Sequence, residues 1–408
     1  MKSPKNRIGL ADLVDHDRLA LSLVAALMAV VVLVGGLAIY SRPPVHRDEV
    51  LFRWGPSFAV TSGELFSIRP RPGDVMLTDE ELVLGALWGV RSGTPFQQAQ
   101  HDMFARNPGR WNTTSPLSYR QPLLTYVWLV LGSGALIGIA WSLLAAGSMY
   151  AAWACARRLV NPLAAVVAPA GLCLVYSFML WHNVRLLYTE MWAGPLVVIA
   201  AANCALALGS APGTQPRRAW VYAAAGASAG LLAMLTRELA VAPVLVMVLA
   251  LLADRRARQR LLWVPWAWAL ALWAGQYAWH ARQVALVSTG DSLISGGVRI
   301  RDYFAFRPSF LSACLRSAAS EPYLLVIVAF LCVMACFAAF TVRTNAMRIL
   351  TGGLTLATLV MMVVSGGPPG WWADGTPLGY WGYLFVPYVI AWAPLALRVI
   401  PRFRPSGV

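Results

Sequence analysis

The chain has 408 residues, 58% of them hydrophobic and 12% charged, with a mean hydropathy of +0.60 and a formal net charge of +15. That balance excludes a water-soluble domain of this length, and the apolar residues fall in blocks of about 20, the length that crosses a hydrocarbon core of roughly 30 Å. The basic residues lie in short clusters between these blocks rather than in one stripe, which argues for membrane topology and against a nucleic-acid partner.

In chain order, Lys2, Lys5, Arg7 and Arg18 precede an apolar run from Leu19 to Tyr40. The run resembles a signal peptide but is long for one, and with many spans behind it an uncleaved first helix is expected. Further spans are expected near 134–156, 163–180, 191–209, 219–236, 239–253, 261–280, 323–342, 349–365 and 379–397. The reading is an all-α polytopic membrane protein of about ten transmembrane helices, one membrane domain over residues 1–408.

Two segments between spans are too long for turns, Ser41 to Gln121 and Ala281 to Glu321. Loops of such length are functional or disordered. The first contains Asp79 to Val90, where Leu82, Val83, Ala86, Leu87 and Val90 recur at helical spacing, so an amphipathic helix lying at the interface is expected. Pro122 to Leu131 is apolar but too short to cross alone and reads as a half-inserted helix feeding the second span. Trp54, Trp111, Trp181, Trp192, Trp279, Trp371 and Trp372 stand near expected membrane boundaries, as an aromatic belt would place them. Gly226 and Gly230 form a GxxxG, a signal of close helix packing.

Threading from a cytoplasmic N-terminus puts Arg157 and Arg158, Arg217 and Arg218, the Asp254 to Arg260 cluster, Arg343 and Arg348, and Arg398 to Arg404 inside, in agreement with the positive-inside rule. Only Asp12, Asp15, Asp17 and Asp254 of the 18 acidic residues then face the cytoplasm. Chemistry is accordingly expected on the outer face.

Directly after the first span stands His46-Arg47-Asp48-Glu49, followed by Arg53, which sets carboxylates at the membrane surface where a base meets a lipid-borne substrate. On spacing alone, solvated juxtamembrane charges fit equally well. Other polar groups recur at expected outer helix ends: Arg120, Arg185 with Tyr188 and Glu190, and Arg237 with Glu238. Ionisable groups at such depth face a cavity or one another, so an ion pair between neighbouring spans and a site role both stay open for Glu190 and Arg237. The cysteines lie mostly inside apolar blocks without paired spacing and read as packing residues. The histidines form no HExxH or Cys/His group, so no metal site is readable and the sequence calls for no cofactor.

The layout resembles the class C glycosyltransferases (GT-C), the multi-span superfamily that includes protein O-mannosyltransferases, aminoarabinose transferases and actinobacterial lipid mannosyltransferases. One helix leads into a long outer loop that begins with an acidic pair, here Asp48-Glu49. Tyr119-Arg120-Gln121-Pro122-Leu123 is similar to the Arg-Pro-Pro-Leu stretch before the second span of bacterial members, with Gln121 in place of a usual proline. Leu187-Tyr188-Thr189-Glu190 and Leu235-Thr236-Arg237-Glu238 match further recurrent stretches. Gly382-Tyr383-Leu384-Phe385-Val386-Pro387 resembles a late Arg-Tyr-Leu-Leu-Pro segment, with Gly382 where many relatives carry arginine.

The resemblance implies a polyprenyl or dolichyl phosphate sugar as donor, a glycan, lipid or protein acceptor, and an active site on the periplasmic or exterior face of a bacterial inner membrane. It implies Asp48 as catalytic base, with Glu49 the rival, and Arg47, Arg53, Arg120 and Arg237 on the donor phosphate. His46, Arg185, Tyr188, Glu190, Glu238 and Tyr383 would line the acceptor or sugar pocket. One carboxylate suffices for such a reaction, because a lipid phosphate leaves as a stable anion without general-acid help, and a single displacement inverts the sugar. A transporter or flippase of lipid-linked glycans is the alternative, but transporters favour midplane charges and repeated halves, and no repeat is visible in the sequence.

Overall fold

The computed structural model describes residues 10–40, 79–105, 113–116, 118–183, 187–209, 216–289, 308–319, 321–364 and 381–403. Among them every regular element is helical: α1 (Leu10–Tyr40), α2 (Asp79–Arg91), α3 (Phe96–Ala105), α4 (Pro122–Leu131), α5 (Gly134–Ala156), α6 (Val167–Asn183), α7 (Thr189–Leu208), α8 (Pro216–Thr236), α9 (Val241–Ala253), α10 (Val264–Val287), α11 (Pro308–Ala318), α12 (Pro322–Thr341), α13 (Asn345–Val364) and α14 (Gly382–Ile390). Single turns at Pro162–Ala165 and Arg255–Gln259 precede α6 and α10, and tight turns over Ala393–Val399 continue α14.

Eight of these segments are long and apolar enough to cross a membrane: α1, α5, α6 with its leading turn, α7, α8, α12, α13, and α14 with the turns after it. The chain is a membrane-embedded, polytopic helical protein. The two other expected spans are α9, of 13 residues, and α10, of 24 residues but interrupted by Gln276, His280 and Arg282, and neither is among the eight. At 1.5 Å per residue α9 covers about 20 Å.

Lipid as solvent inverts the usual burial pattern. The nearly unbroken apolar run of α12 lies at the periphery and exposes Val326, Phe330, Val333, Phe337 and Phe340. The alanine-rich α7 is buried on all sides and packs on α5, α8 and α14, because small residues let backbones approach where no hydrophobic force drives helices together. Gly226 and Gly230 on α8 act this way, lying against the Trp266 ring of α10.

Pro195 and Pro387 sit in the interiors of α7 and α14, and neither can donate to the carbonyl four residues earlier. Pro195 leaves the Met191 carbonyl of α7 free, and the indole Nε1 of Trp141 on α5 donates to it at 2.8 Å. Pro387 likewise cannot donate to the Tyr383 carbonyl of α14, which lies against Gly194 of α7. A β-carbon at Gly194 would collide with that carbonyl, so Gly194→Ala is expected to cost about 1–3 kcal/mol. Thermal unfolding in detergent measures this, with Gly147→Ala, where nothing lies nearby, as the neutral control.

The helix expected over Asp79 to Val90 is α2. The short apolar stretch is α4, stopped by Gly132 at φ +70° before Ser133 caps α5 through the Leu136 amide. Trp192 is buried and meets Trp128 edge-on at 6.4 Å, so it belongs to the interior rather than to a belt. Of the long segments, 41–78 and 290–307 lie outside the described residues.

Hydrogen bonds tie the basic turns to one another. Arg158 Nη2 donates to Tyr222 Oη at 3.0 Å, Trp220 Nε1 to the Arg260 carbonyl at 3.0 Å, and the Asn161 amide to the Phe403 carbonyl at 3.0 Å. They gather at one end of the bundle. The C-terminal half of α1, through Gly35 against Ser142 and Leu180, runs toward the other end, where α5 and α7 begin and α6 ends.

Candidate functional site

His46, Arg47, Asp48, Glu49, Arg53 and Arg185 lie outside the described residues. Glu190, Arg237 and Glu238 come together at the end of the bundle away from the basic turns. Glu190 occupies the first turn of α7, where the helix dipole favours a carboxylate. Arg237 follows α8 in extended conformation, φ −148° and ψ 119°, and Glu238 opens the tight turn leading into α9.

Arg237 Nε lies 2.7 Å from Glu190 Oε1 and its Nη1 lies 2.8 Å from Glu238 Oε1. Glu190 is 0% exposed and Arg237 5%. Both approaches are ionic contacts off the N–H axes, short of aligned hydrogen bonds. Thr189 Oγ1 donates to the second Glu190 oxygen at 3.1 Å. Buried charges persist only when paired, and here one guanidinium stands between two carboxyl groups. The sequence left ion pairing open for Glu190 and Arg237, and the pair is present.

Further buried polar groups lie on α10, on α3 and just ahead of α4. Tyr277 and His280 of α10 lie within electrostatic reach of Glu238. The His280 ring is fully buried and abuts the carbonyls of Pro116 and Tyr119 without hydrogen-bond alignment to either. The Arg120 amide donates to Gln100 Oε1 of α3 at 2.9 Å. Tyr119 Oη donates to the Thr113 carbonyl at 2.9 Å and meets His101 Nδ1 at 2.9 Å, so the imidazole proton belongs on Nδ1. Gln121, 2% exposed, has neither amide atom partnered, and Gln97 Nε2 is also unpartnered. Tyr188, ahead of α7, meets Tyr383 of α14 at 6.4 Å between centroids.

Of the residues foreseen, Arg237, Glu190 and Glu238 form one cluster, Tyr188 and Tyr383 a neighbouring aromatic pair, and Arg120 joins through its backbone to α3. Gln97, Gln100, Tyr277 and His280 were not foreseen as site residues. Their signal was spacing: Gln97 and Gln100 are three apart on α3, and Gln276 and His280 four apart on α10, which puts each pair on one helix face. Chemically, the cluster offers carboxylate acceptors and a guanidinium, a set suited to hydroxyl groups and to developing charge. Among the described residues no three His, Cys, Asp or Glu side chains converge as metal ligands. No family model, curated protein or solved structure matches this chain.

Proposed function

We propose that the chain is a membrane glycosyltransferase of the GT-C type. It moves a sugar from a polyprenyl phosphate carrier to an envelope glycan, lipid or protein acceptor on the extracytoplasmic face of a bacterial inner membrane. The observation that carries the reading is the buried Glu190–Arg237–Glu238 cluster at the bundle end opposite the basic turns. Intramembrane ionisable groups mark function by default, and the positive-inside rule makes that end the outer one.

Asp48 follows α1 closely, and α1 runs toward that same end. In this reaction Asp48 accepts the acceptor hydroxyl's proton as its oxygen bonds to the anomeric carbon, while the bond from that carbon to the phosphate oxygen breaks and the lipid phosphate departs with the electron pair. Arg47, Arg53 and Arg120 carry most of the phosphate binding, because Arg237 is held on two sides by carboxylates. His46, Arg185, Tyr188, Glu190, Glu238 and Tyr383 surround the sugar or acceptor, with about ten spans in all.

A flippase or transporter of lipid-linked glycans is the second reading, favoured by the proline-interrupted α7 and α14. Proteoliposomes loaded with labelled polyprenyl phosphate sugar and candidate acceptors separate the two. Transfer leaves label on the acceptor and releases polyprenyl phosphate; translocation moves the intact donor between leaflets and sinks the enzyme reading. Loss of one glycan modification from the envelope of a deletion strain, read by mass spectrometry, names the acceptor class.

Sidedness has its own test. A cysteine at Ser62, in a cysteine-free background, is expected to react with a membrane-impermeant maleimide on intact spheroplasts. Reaction only after the inner side is opened reverses the topology and removes the outer-face mechanism.

A further inference from the structure

A second feature lies away from the acid–arginine cluster. Helices α11, α12, α13 and α14 enclose a crevice of about 200 Å³ whose walls include Leu315, Val333, Thr355, Thr358, Leu359 and Val386. Its two hydroxyls are occupied: Thr355 Oγ1 donates to the Thr351 carbonyl at 2.9 Å, and Thr358 Oγ1 to the Leu354 carbonyl at 2.9 Å. The lining therefore presents hydrocarbon and the sulfurs of Cys332, Cys336 and Met362, which offer water only weak partners.

The mouth of the crevice is continuous with the face turned to lipid. Val333 and Leu359 line it and are also 52% and 38% exposed on the membrane-facing rows of α12 and α13. An apolar hollow open to the bilayer fills with hydrocarbon, since lipid chains are the solvent at that surface. One wall, α11, is amphipathic, and its last turn carries Arg316, exposed beside the lining residue Leu315. No carboxylate among the described residues pairs with it. A hydrocarbon slot with an exposed arginine next in sequence to one of its lining residues matches a lipid bearing a phosphate headgroup.

We propose that this crevice holds one chain of a membrane phospholipid, with the lipid's phosphate against Arg316. The structural phospholipid is favoured over a polyprenyl phosphate because the crevice is walled by none of the helices that carry the acid–arginine cluster. α14 stands between α11 and α7. The site is independent of the catalytic reading above.

Native mass spectrometry of the full chain, released from mild detergent, tests the assignment. The wild type is expected to retain one phospholipid under conditions that strip the rest. Ala329→Trp and Cys336→Phe, which fill the crevice, are expected to lose it, whereas Phe337→Trp on the exposed face of α12 keeps it. Arg316→Gln is expected to release the lipid about fivefold more readily, the contribution of one interfacial cation. A wild type without bound lipid, equal retention by both filled variants, or a retained polyprenyl phosphate overturns the proposal. If the filled variants are not monodisperse, unchanged retention by Arg316→Gln overturns it, since an exposed arginine does not support the fold.

Discussion

Asp48→Asn is expected to reduce sugar transfer by about a hundredfold to ten-thousandfold, the range that general-base assistance supplies, with expression, membrane insertion and donor binding retained. The amide keeps the shape of the carboxylate but has no site for the acceptor's proton. A solvated surface carboxylate would change little on the same replacement. Glu49→Gln is the internal control, because adjacent side chains point in different directions and only one can hold the base's position. Transfer from polyprenyl phosphate sugars is measured in membranes carrying equal amounts of each variant. Near-normal turnover in Asp48→Asn with collapse in Glu49→Gln moves the base by one residue, and near-normal turnover in both removes the mechanism.

Arg237→Met is expected to destabilise the protein by about 3–5 kcal/mol, the cost of stripping a buried ion of its partner. Glu190, fully buried, would keep only the Thr189 hydroxyl. The triple variant Glu190→Gln, Arg237→Met, Glu238→Gln removes all the charges together and is expected to recover most of that loss, because an apolar or neutral replacement of a whole buried ion cluster is close to neutral. Thermal unfolding in detergent follows stability, and the transfer assay follows chemistry on the same samples. A triple variant that folds but does not transfer assigns the cluster to the reaction; one that both folds and transfers makes it a structural clasp.

The spans were legible because lipid rewards long apolar runs without regard to neighbours. The basic turns were legible because charge decides which end a loop occupies. Glu190 and Arg237 stood out as ionisable residues beside apolar blocks, and their pairing across α7 and α8 could be raised from sequence for that reason. Helices α3 and α11 were not foreseen. They sit in the two long segments between spans, and their amphipathic sequences are no longer than 11 residues, too short for periodicity to be told from chance. His280 reads in sequence as a polar residue near a membrane boundary; that its ring turns inward, toward Pro116 and Tyr119, depends on how α10 is rotated against α8 and α3. The burial of Trp128, Trp141, Trp153 and Trp266 was hidden similarly, since an indole suits an interface and an interior equally until its neighbours are known.

The two proline-released carbonyls carry a consequence for how the chain is made. In hydrocarbon a bare carbonyl costs several kcal/mol, so a helix broken by proline needs its outside partner as it leaves the translocation channel. Met191 of α7 finds the Trp141 indole on α5, and the Tyr383 carbonyl of α14 packs against the backbone at Gly194 on α7. In both cases the partner belongs to a segment synthesised earlier and already in the bilayer. Each break is closed against material that is waiting for it, and the ribosome's order of delivery is also the order in which these helices become tolerable to lipid.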